Sequence, residues 1–220
     1  MKGLLIKDIK LMTRQKTMLI MIALIIMLFP SFEMDPGFIV TYAMILLLFM
    51  TVSTVSYDDF DNGMAFLFTL PTDRKTYVRE KYVLGLAAAV TGWLLAALVN
   101  VVYIVILGEK AGGTIGDILF AAVLIFPVAL LMWEVLLPMQ LKFGAEKARM
   151  VIFIVAAVIA AITVVATKVA EANEAQVASL LEKGKNLGPV SIGIALFAVA
   201  IIGLLISYAC SVRIMEKKEY

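Results

Sequence analysis

Long apolar runs dominate this sequence, and they constrain its fold more than any other feature. Six stretches are mostly apolar and close to the length that a helix needs to cross a bilayer, about 20 residues with a range of ~17–25. They cover residues 18–34, 38–56, 82–108, 118–141, 150–167 and 190–212. Because the runs are continuous rather than alternating, they favour helices over the strands of a membrane barrel. The sequence therefore predicts an all-α membrane protein with six transmembrane helices.

The composition excludes a soluble fold. Hydrophobic residues make up 63% of the chain and the mean hydropathy is +1.01, whereas soluble domains contain about 45–50% apolar residues. A small domain has too little interior to bury that excess, so lipid is the expected surrounding. The chain contains no linker-like segment and no internal repeat, and we expect a single transmembrane domain over residues 1–220.

The distribution of basic residues predicts the orientation. With the N-terminus placed inside, only Lys110, Lys168, Lys183 and Lys185 of the 19 Lys and Arg residues fall on the outer side. Basic residues are retained on the cytoplasmic side of membrane proteins. The pattern predicts cytoplasmic N- and C-termini, a cytoplasmic loop at residues 57–81 and a multi-pass protein of the cytoplasmic membrane.

Several kinds of chemistry are excluded by missing residues. The chain has no histidine and one cysteine, so it has no His-based catalytic site and no internal disulfide. It has no phosphate-loop motif for binding ATP. We expect no catalytic residue, metal site or cofactor in this chain, and no nucleic-acid partner. Cys210, inside the last apolar run, is expected to be a small buried side chain.

The N-terminal segment has an amphipathic pattern. Three apolar residues recur at i, i+4 and i+7, and three basic residues follow a similar spacing on another face. These are Leu5, Ile9 and Met12, and Lys7, Lys10 and Arg14. The pattern predicts a helix in the membrane interface with its basic side chains toward lipid headgroups. The alternative is a charged flank that only sets the topology.

The loop at residues 57–81 is acidic first, apolar in the middle and basic last. Its apolar part, residues 64–70, is too short to cross the membrane. We expect a short cytoplasmic helix whose Phe66, Phe68 and Leu70 dock in a groove of another protein. The alternative is a re-entrant or interfacial turn without a partner. A following helix, capped by Thr72 or Asp73, would run into the third span.

The same loop carries a family resemblance. Its acidic patch is followed by Asn62-Gly63, then by the segment Leu70-Pro71-Thr72-Asp73-Arg74, and Lys81-Tyr82 opens the next span. This order resembles the cytoplasmic loop of small ABC-2 type permeases, the membrane subunits of bacterial ATP-binding-cassette exporters. The opening Met1–Asp8 and the six-span plan are also similar to that family.

The resemblance implies that transport and ATP binding are functions of separate subunits. The loop would carry a coupling helix that sits in a cleft of a separate ATP-binding subunit, which would hold ATP and Mg. The N-terminal helix would be the connecting helix of the family. The permease would work as a homodimer, or as a heterodimer with a similar permease, and export an amphipathic or apolar peptide, lipid-like molecule or drug. The implied coupling residues are Asp58, Asp59, Asp61, Met64, Phe66, Phe68, Leu70 and Pro71.

Two polar residues within the predicted spans are candidates for a cavity or gate. A carboxylate at the bilayer centre costs about 2.5–3.5 kcal/mol on insertion scales, which makes Glu134 a functional candidate. It would line a substrate cavity or pair with Arg149. The alternative is a carboxylate that reaches the inner interface, with Trp133 as an aromatic anchor. Asn100 would line the same cavity or hydrogen-bond to a neighbouring helix.

Other functions remain open at this point. An ion-coupled secondary transporter needs polar residues beside broken helices, and Glu134, Asn100 and two prolines are the available supply. A membrane scaffold is a further alternative without positive support. An intramembrane enzyme is the least favoured, because there is no histidine and no clustered pair of membrane carboxylates.

Overall fold

The computed structural model describes residues 1–32, 36–60, 63–107, 122–144 and 189–218, and the isolated residues 116, 120, 147 and 150. Regular structure within this part of the chain is entirely helical, which confirms the predicted all-α class. A 3-10 turn, Phe29–Phe32, follows the second helix. The helices are α1 (Lys2–Arg14), α2 (Lys16–Leu28), α3 (Pro36–Asp59), α4 (Gly63–Leu67), α5 (Arg74–Leu107), α6 (Ala122–Gly144) and α7 (Pro189–Lys217).

Helices α3, α5, α6 and α7 are each long and apolar enough to cross a membrane. Helices α1 and α2 meet at an angle of 70° and form one further candidate span if the bent pair is counted together. The described residues therefore give four or five candidate spans where the sequence predicts six. The predicted span 150–167 lies outside the described residues.

One end of the helix bundle gathers most of the charged contacts, and we call it the charged end. The C-terminal parts of α3 and α6 meet there, where Gln140 Nε2 donates to Ser56 Oγ at 2.7 Å. The start of α5 meets the end of α7, where Arg74 Nη1 donates to the carbonyl of Met215 at 3.0 Å. Helices α3, α6 and α7 therefore all run toward the charged end, and α5 runs away from it.

The start of α5 follows from local chemistry. Asp73 immediately precedes the helix, and its carboxylate accepts hydrogen bonds from the Thr76 side chain and backbone, which hold the pKa of Asp73 below its usual range. This is the N-cap arrangement that satisfies the first amides of a helix, and it confirms Asp73 as one of the two predicted caps. Because of the cap, α5 begins eight residues before the predicted span at residue 82 and carries that span away from the charged end.

Small residues let the long helices approach one another closely. A Cβ atom at Gly92 of α5 would lie 3.3 Å from the Cα of Met44 in α3. A Cβ atom at Gly85 would overlap the ring of Trp133 in α6. Trp133 is fully buried, and its Nε1 donates to Thr51 Oγ1 at 3.1 Å. Of the two readings of Glu134, the alternative that uses Trp133 as an interfacial anchor does not fit this burial, because the space above Gly85 admits the indole into the core.

Helix α1 lies at the charged end and contacts α3 and α5. Leu4 and Asp8 face the bundle and are buried, whereas Ile9 is exposed. Lys7 does not point toward lipid headgroups as predicted, because it forms ion pairs with Asp8 and Asp58. The face that α1 turns to the protein is thus partly ionic rather than apolar.

Candidate functional site

An ionic cluster joins three helices at the charged end: Lys7 and Asp8 of α1, Asp58 of α3, and Glu80 and Lys81 of α5. The Lys81 side chain is only 1% exposed, and its Nζ lies 2.8 Å from Asp58 Oδ2 and also contacts Asp8 Oδ2. Lys7 Nζ contacts Asp58 and lies 3.1 Å from the other Asp8 oxygen. The two ammonium groups therefore bridge the two aspartates and fix α1 against α3 and α5.

Neutral side chains from the same helices complete this cluster. Lys81 Nζ donates to Thr54 Oγ1 at 2.9 Å, and the Tyr77 hydroxyl donates to Asp58 Oδ2 at 2.9 Å. Thr54 and Asp58 are four residues apart in α3, and Tyr77 and Lys81 are four apart in α5. Residues at this spacing share one face of a helix, so each helix presents a pair of polar groups to the other.

Carboxyl groups outnumber ammonium groups in the ionic cluster. Asp8, Asp58 and Glu80 supply three carboxylates, against the two ammonium groups of Lys7 and Lys81. Glu80 is fully buried, and its nearest ammonium contact is 3.9 Å away. Neither Glu80 oxygen meets the geometry of a hydrogen bond with another described residue. Removing a charge from water costs several kcal/mol per ion. The stability of the ionic cluster therefore depends on each of its ion pairs and hydrogen bonds.

Helix α4 lies between the end of α3 and the start of α5 and is anchored on one side only. Met64 and Leu67 are buried. Gly63 starts the helix where a Cβ atom would lie only 2.7 Å from the Asp58 carbonyl oxygen, so α4 folds directly against the end of α3. Phe66, on the opposite side, is 69% exposed. The result is a short, fixed helix that presents an aromatic side chain outward.

The segment after α4 is tied to the bundle by Phe68. Its ring packs edge-on against Tyr77 at 5.9 Å between centroids, and the Arg74 guanidinium lies 5.7 Å from it. Arg74 in turn donates to the carbonyls of Met215 and Glu216 at 3.0 and 2.8 Å. The segment after α4 is therefore linked to the end of α7 through Arg74, and to the ionic cluster through Tyr77.

A second polar site lies between α6 and α7. Glu134 is 3% exposed and lines a groove of about 500 Å3. The Ser207 hydroxyl contacts the Glu134 backbone carbonyl and the Tyr82 hydroxyl, the latter at 2.6 Å. Tyr82 also lies 2.9 Å from Ser211 Oγ. These bonds hold α5, α6 and α7 together beside the groove and leave the Glu134 carboxylate outside the network.

A family model described as ABC-2 family transporter protein matches residues 3–216, which is nearly the whole chain. The chain belongs to the ABC-2 transporter family. No curated protein and no solved structure matches it significantly.

Family membership and the apolar helices together make this chain a multi-pass membrane protein and an ABC transporter permease. Permeases of this family are transport subunits rather than enzymes in their own right, and in general they operate with a partner that binds ATP. The resemblance found in the loop sequence is confirmed by this match.

The permease structure separates the predicted coupling residues into buried and exposed groups. Asp58 and Met64 are buried inside the chain, and Phe68 is half-buried against Tyr77. Their side chains are therefore not open to a partner, since the ionic cluster and the core hold them. Asp61 lies outside the described residues. The exposed group consists of Asp59, Phe66, Leu70 and Pro71.

Two residues proposed for a cavity have different environments. Glu134 lines the groove, but Asn100 is not among the groove's lining residues, and its Nδ2 donates to the Ala96 carbonyl of its own helix at 2.8 Å. Asn100 thus satisfies its amide within α5. Arg149, the suggested partner of Glu134, lies outside the described residues. Cys210 is exposed and lines the groove, so the expectation of a buried thiol is wrong.

Sequence reasoning missed most of the ionic cluster. Asp8, Glu80 and Lys81 were not selected as interacting residues. The structure brings three carboxylates together from positions 8, 58 and 80. Two signals were available: the i, i+4 pairs in α3 and α5, and the presence of charges beside long apolar runs, where only paired charges are tolerated.

Proposed function

We propose that this chain is the membrane-spanning subunit of an ABC exporter that moves an amphipathic or apolar substrate across the cytoplasmic membrane. A separate ATPase subunit would bind ATP and Mg and supply the energy. The observation that carries the proposal is α4, a short helix anchored by Met64 and Leu67 between two spanning helices while Phe66 is exposed. Peptides, lipid-like molecules and drugs are the substrate classes that fit such a subunit.

Exposed apolar side chains around α4 support its role as the docking element. Phe60, Phe66 and Leu70 are 73%, 69% and 47% exposed, and they flank or belong to the same short segment. Contiguous exposed apolar groups outside a membrane span are typical of protein interaction sites. A short helix that fills a groove with apolar anchors is a common recognition mode.

The contacts of α4 support its role in transmitting force. A push on α4 reaches α3 through Gly63 and Asp58, and reaches α5 through the packing of Phe68 on Tyr77. The ionic cluster then couples both helices to α1. Packed, hydrogen-bonded groups of this kind move together rather than deforming independently. Closure of the ATPase would thereby reorient the helices that surround the transport route.

The directions of α6 and α7 support the six-span topology. Both helices end at the charged end, so the end of α6 at residue 144 and the start of α7 at residue 189 lie at opposite ends of the bundle. The sequence places the apolar run 150–167 in that interval. With α2 as the first span, we propose six spans in one membrane domain. The basic residues at the charged end, Arg74, Lys142, Arg213 and Lys218 among them, support a cytoplasmic location for that end and for both termini.

Two copies of this chain, or one copy with a similar permease, would form the complete transporter. An ATP-driven exporter needs two membrane halves between which access alternates. Apolar side chains on α5 and α7 remain more than half exposed within one copy, among them Leu98 at 62%, Val105 at 70% and Leu205 at 63%. Lipid or a second copy would cover these faces.

The test is co-purification from the native membrane in mild detergent. The wild type is compared with Phe66→Asp, and Phe32→Asp is the matched control, because Phe32 is also 69% exposed but lies at the opposite end of α3. We expect an ATPase with a phosphate-loop motif, identified by mass spectrometry, to co-purify with wild type and Phe32→Asp and to be lost from Phe66→Asp. Equal recovery with all three variants would remove α4 as the docking element.

The buried carboxylate of Glu134 favours one second candidate, an ion-coupled transporter. In that case no ATPase would co-purify with folded protein, and transport into vesicles would follow an ion gradient without nucleotide. Family membership favours the ATP-driven function. Transport by purified protein in the presence and absence of ATP and its co-purified ATPase separates the two.

A further inference from the structure

The groove between α6 and α7 is apolar except at a few points. Its walls are formed by Leu131, Val135, Pro138 and Ile206, and its volume is about 500 Å3. Glu134 lies at the deep side, and Lys142 lies at the end nearest the charged end. A concave apolar site with one or two polar groups is the usual form of a small-molecule binding site.

The carboxylate of Glu134 has no counterpart within the described chain. It is 3% exposed, and neither Oε atom has a hydrogen-bond partner there. Gly203 of α7 lies directly opposite, where a Cβ atom would collide with the carboxylate. The glycine therefore leaves room for the charged group without offering it a donor. The neighbouring Ser207 uses its hydroxyl on Tyr82 and on the Glu134 backbone.

The cation that shares the groove is too far along α6 to neutralise Glu134. Lys142 is eight residues later, which corresponds to about 12 Å along a helix axis. Its ammonium group lies 4.9 Å over the ring of Phe143 rather than against a carboxylate. A buried charge without a partner is costly, so the groove favours a ligand that brings a positive charge to Glu134.

The surroundings favour an organic cation over a metal ion. One carboxylate is a poor ligand set for a metal, and the described residues contain no group of three or more acidic, Cys or His side chains that would hold one. The apolar walls match hydrocarbon or aromatic groups instead. Val135 and Ile206, at the outer edge, are 48% and 59% exposed and provide an apolar way in.

We propose that this groove binds lipophilic organic cations, with the positive group at the Glu134 carboxylate and the apolar groups between Leu131, Val135 and Ile206. Lys142 at the mouth repels cations that approach from the charged end, so entry is from the apolar side. As a substrate site the groove rests on the proposed transport function, and it narrows the substrate class to amphipathic cations. Binding itself requires no ATPase.

Cys210 provides a reporter inside the groove. It is the only cysteine of the chain, it is exposed, and it lines the same cavity as Glu134. The rate at which N-ethylmaleimide alkylates Cys210 can be measured on the full chain in lipid nanodiscs, with tetraphenylphosphonium as the probe cation. We expect saturating tetraphenylphosphonium to slow the alkylation severalfold, because a bound cation shields the thiol.

Charge is tested with a variant and with a neutral probe. Glu134→Gln keeps the shape of the side chain and removes the charge, and we expect it to abolish protection by tetraphenylphosphonium. Triphenylphosphine oxide, which is similar in shape but uncharged, should protect neither protein. A control protein with Cys210→Ser and Val199→Cys places the thiol on the same helix about 16 Å away, where no protection is expected.

Direct binding of radiolabelled tetraphenylphosphonium to the same nanodiscs gives a second measurement. We expect Glu134→Gln to weaken binding by at least about tenfold, as expected for loss of a buried charge pair. Equal protection and equal binding in wild type and Glu134→Gln would overturn the proposal, since the probe would then only partition into lipid. Absence of binding to both would overturn it as well.

These results are independent of ATPase docking. If no ATPase co-purifies with folded wild-type protein but tetraphenylphosphonium binds through Glu134, the cation site stands and the proposed ATP-driven function falls. If the ATPase docks as expected but the cation does not bind, this assignment of the substrate class is wrong.

Discussion

Lys81 of α5 donates to Asp58 of α3 at 2.8 Å, at a point where only 1% of the lysine side chain is exposed. The two residues stand on either side of helix α4 in the sequence, at positions 58 and 81. Their bond therefore closes the base of the loop that is proposed to receive the ATPase.

Replacing Lys81 should lower the free energy of unfolding of the permease. Lys81→Met leaves Asp58 and Asp8 with only Lys7 as an ionic partner, and breaking a buried ion pair on one side costs about 3–5 kcal/mol. The control is Lys75→Met on the same helix, where the lysine is 66% exposed and its ion pair with Glu216 lies at the surface. That variant should stay within about 1 kcal/mol of wild type. Unfolding by denaturant in one detergent compares the two variants. Equal stability of Lys81→Met and Lys75→Met would contradict a stabilising role of the buried ion pairs of Lys81.

Substitution of Met64 should lower the stability of the protein, whereas substitution of Phe66 should weaken ATPase docking. Met64 is 2% exposed, so Met64→Ala should cost about 2–5 kcal/mol of stability. Phe66 is exposed, and Phe66→Ala should change stability by no more than about 0.5 kcal/mol while reducing the ATPase recovered. Thermal unfolding and co-purification on the same preparations measure both effects. A large loss of stability in Phe66→Ala would mean that its ring packs inside the chain.

Gly85 should not accept a larger residue. Gly85→Ala places a methyl group into the ring of Trp133, and overpacking of this kind typically costs about 1–3 kcal/mol. Gly3→Ala is the matched control, because no atom lies within 4 Å of a Cβ atom built there. The control should be neutral or slightly stabilising, since alanine is the better helix former. Melting temperatures of the two variants test the contact.

The cap at Asp73 should give stability a dependence on acid. Its pKa is lowered in the folded protein by hydrogen bonds from Thr76, so the charged cap stabilises the fold above the ordinary carboxyl pKa. That contribution is lost as the pH falls through the lower, folded-state value. Asp73→Ala should thus melt earlier than wild type at neutral pH, and the difference should shrink below about pH 4.

Asp73→Ser serves as the control for that experiment, because serine also caps helices but carries no charge. It should retain much of the stability without the acid dependence. A difference between wild type and Asp73→Ala that stays constant down to acid pH would show that the carboxylate charge is not what caps α5.

The apolar runs were enough to predict the helical class and most of the spanning helices. Hydropathy reports the surroundings of a helix directly, since lipid tolerates few uncompensated polar groups. Hydropathy alone does not mark the start of α5, because its first turns carry Lys75, Arg79 and Glu80. The capping residues Thr72 and Asp73 predicted that start, and α5 begins at Arg74.

The sites were harder to predict because their partners are distant in sequence. Asp58 was assigned to the ATPase-coupling residues through the family resemblance. Its ionic partners Lys81 and Lys7 lie 23 and 51 residues away in the sequence. An interfacial anchor was one of the two readings that involved Trp133, because tryptophans commonly lie at interfaces, and the absence of a Cβ at Gly85 makes the room for its burial. Local patterns do not record which faces of two helices meet.

The order of the ionic cluster along the chain has a consequence for biogenesis. Its members lie at positions 7, 8, 58, 80 and 81, so all of them have been synthesised before half of the 220 residues are made. Chains generally begin to fold from the N-terminus during synthesis. All members of the ionic cluster are thus available to pair before α6 and α7 have been synthesised.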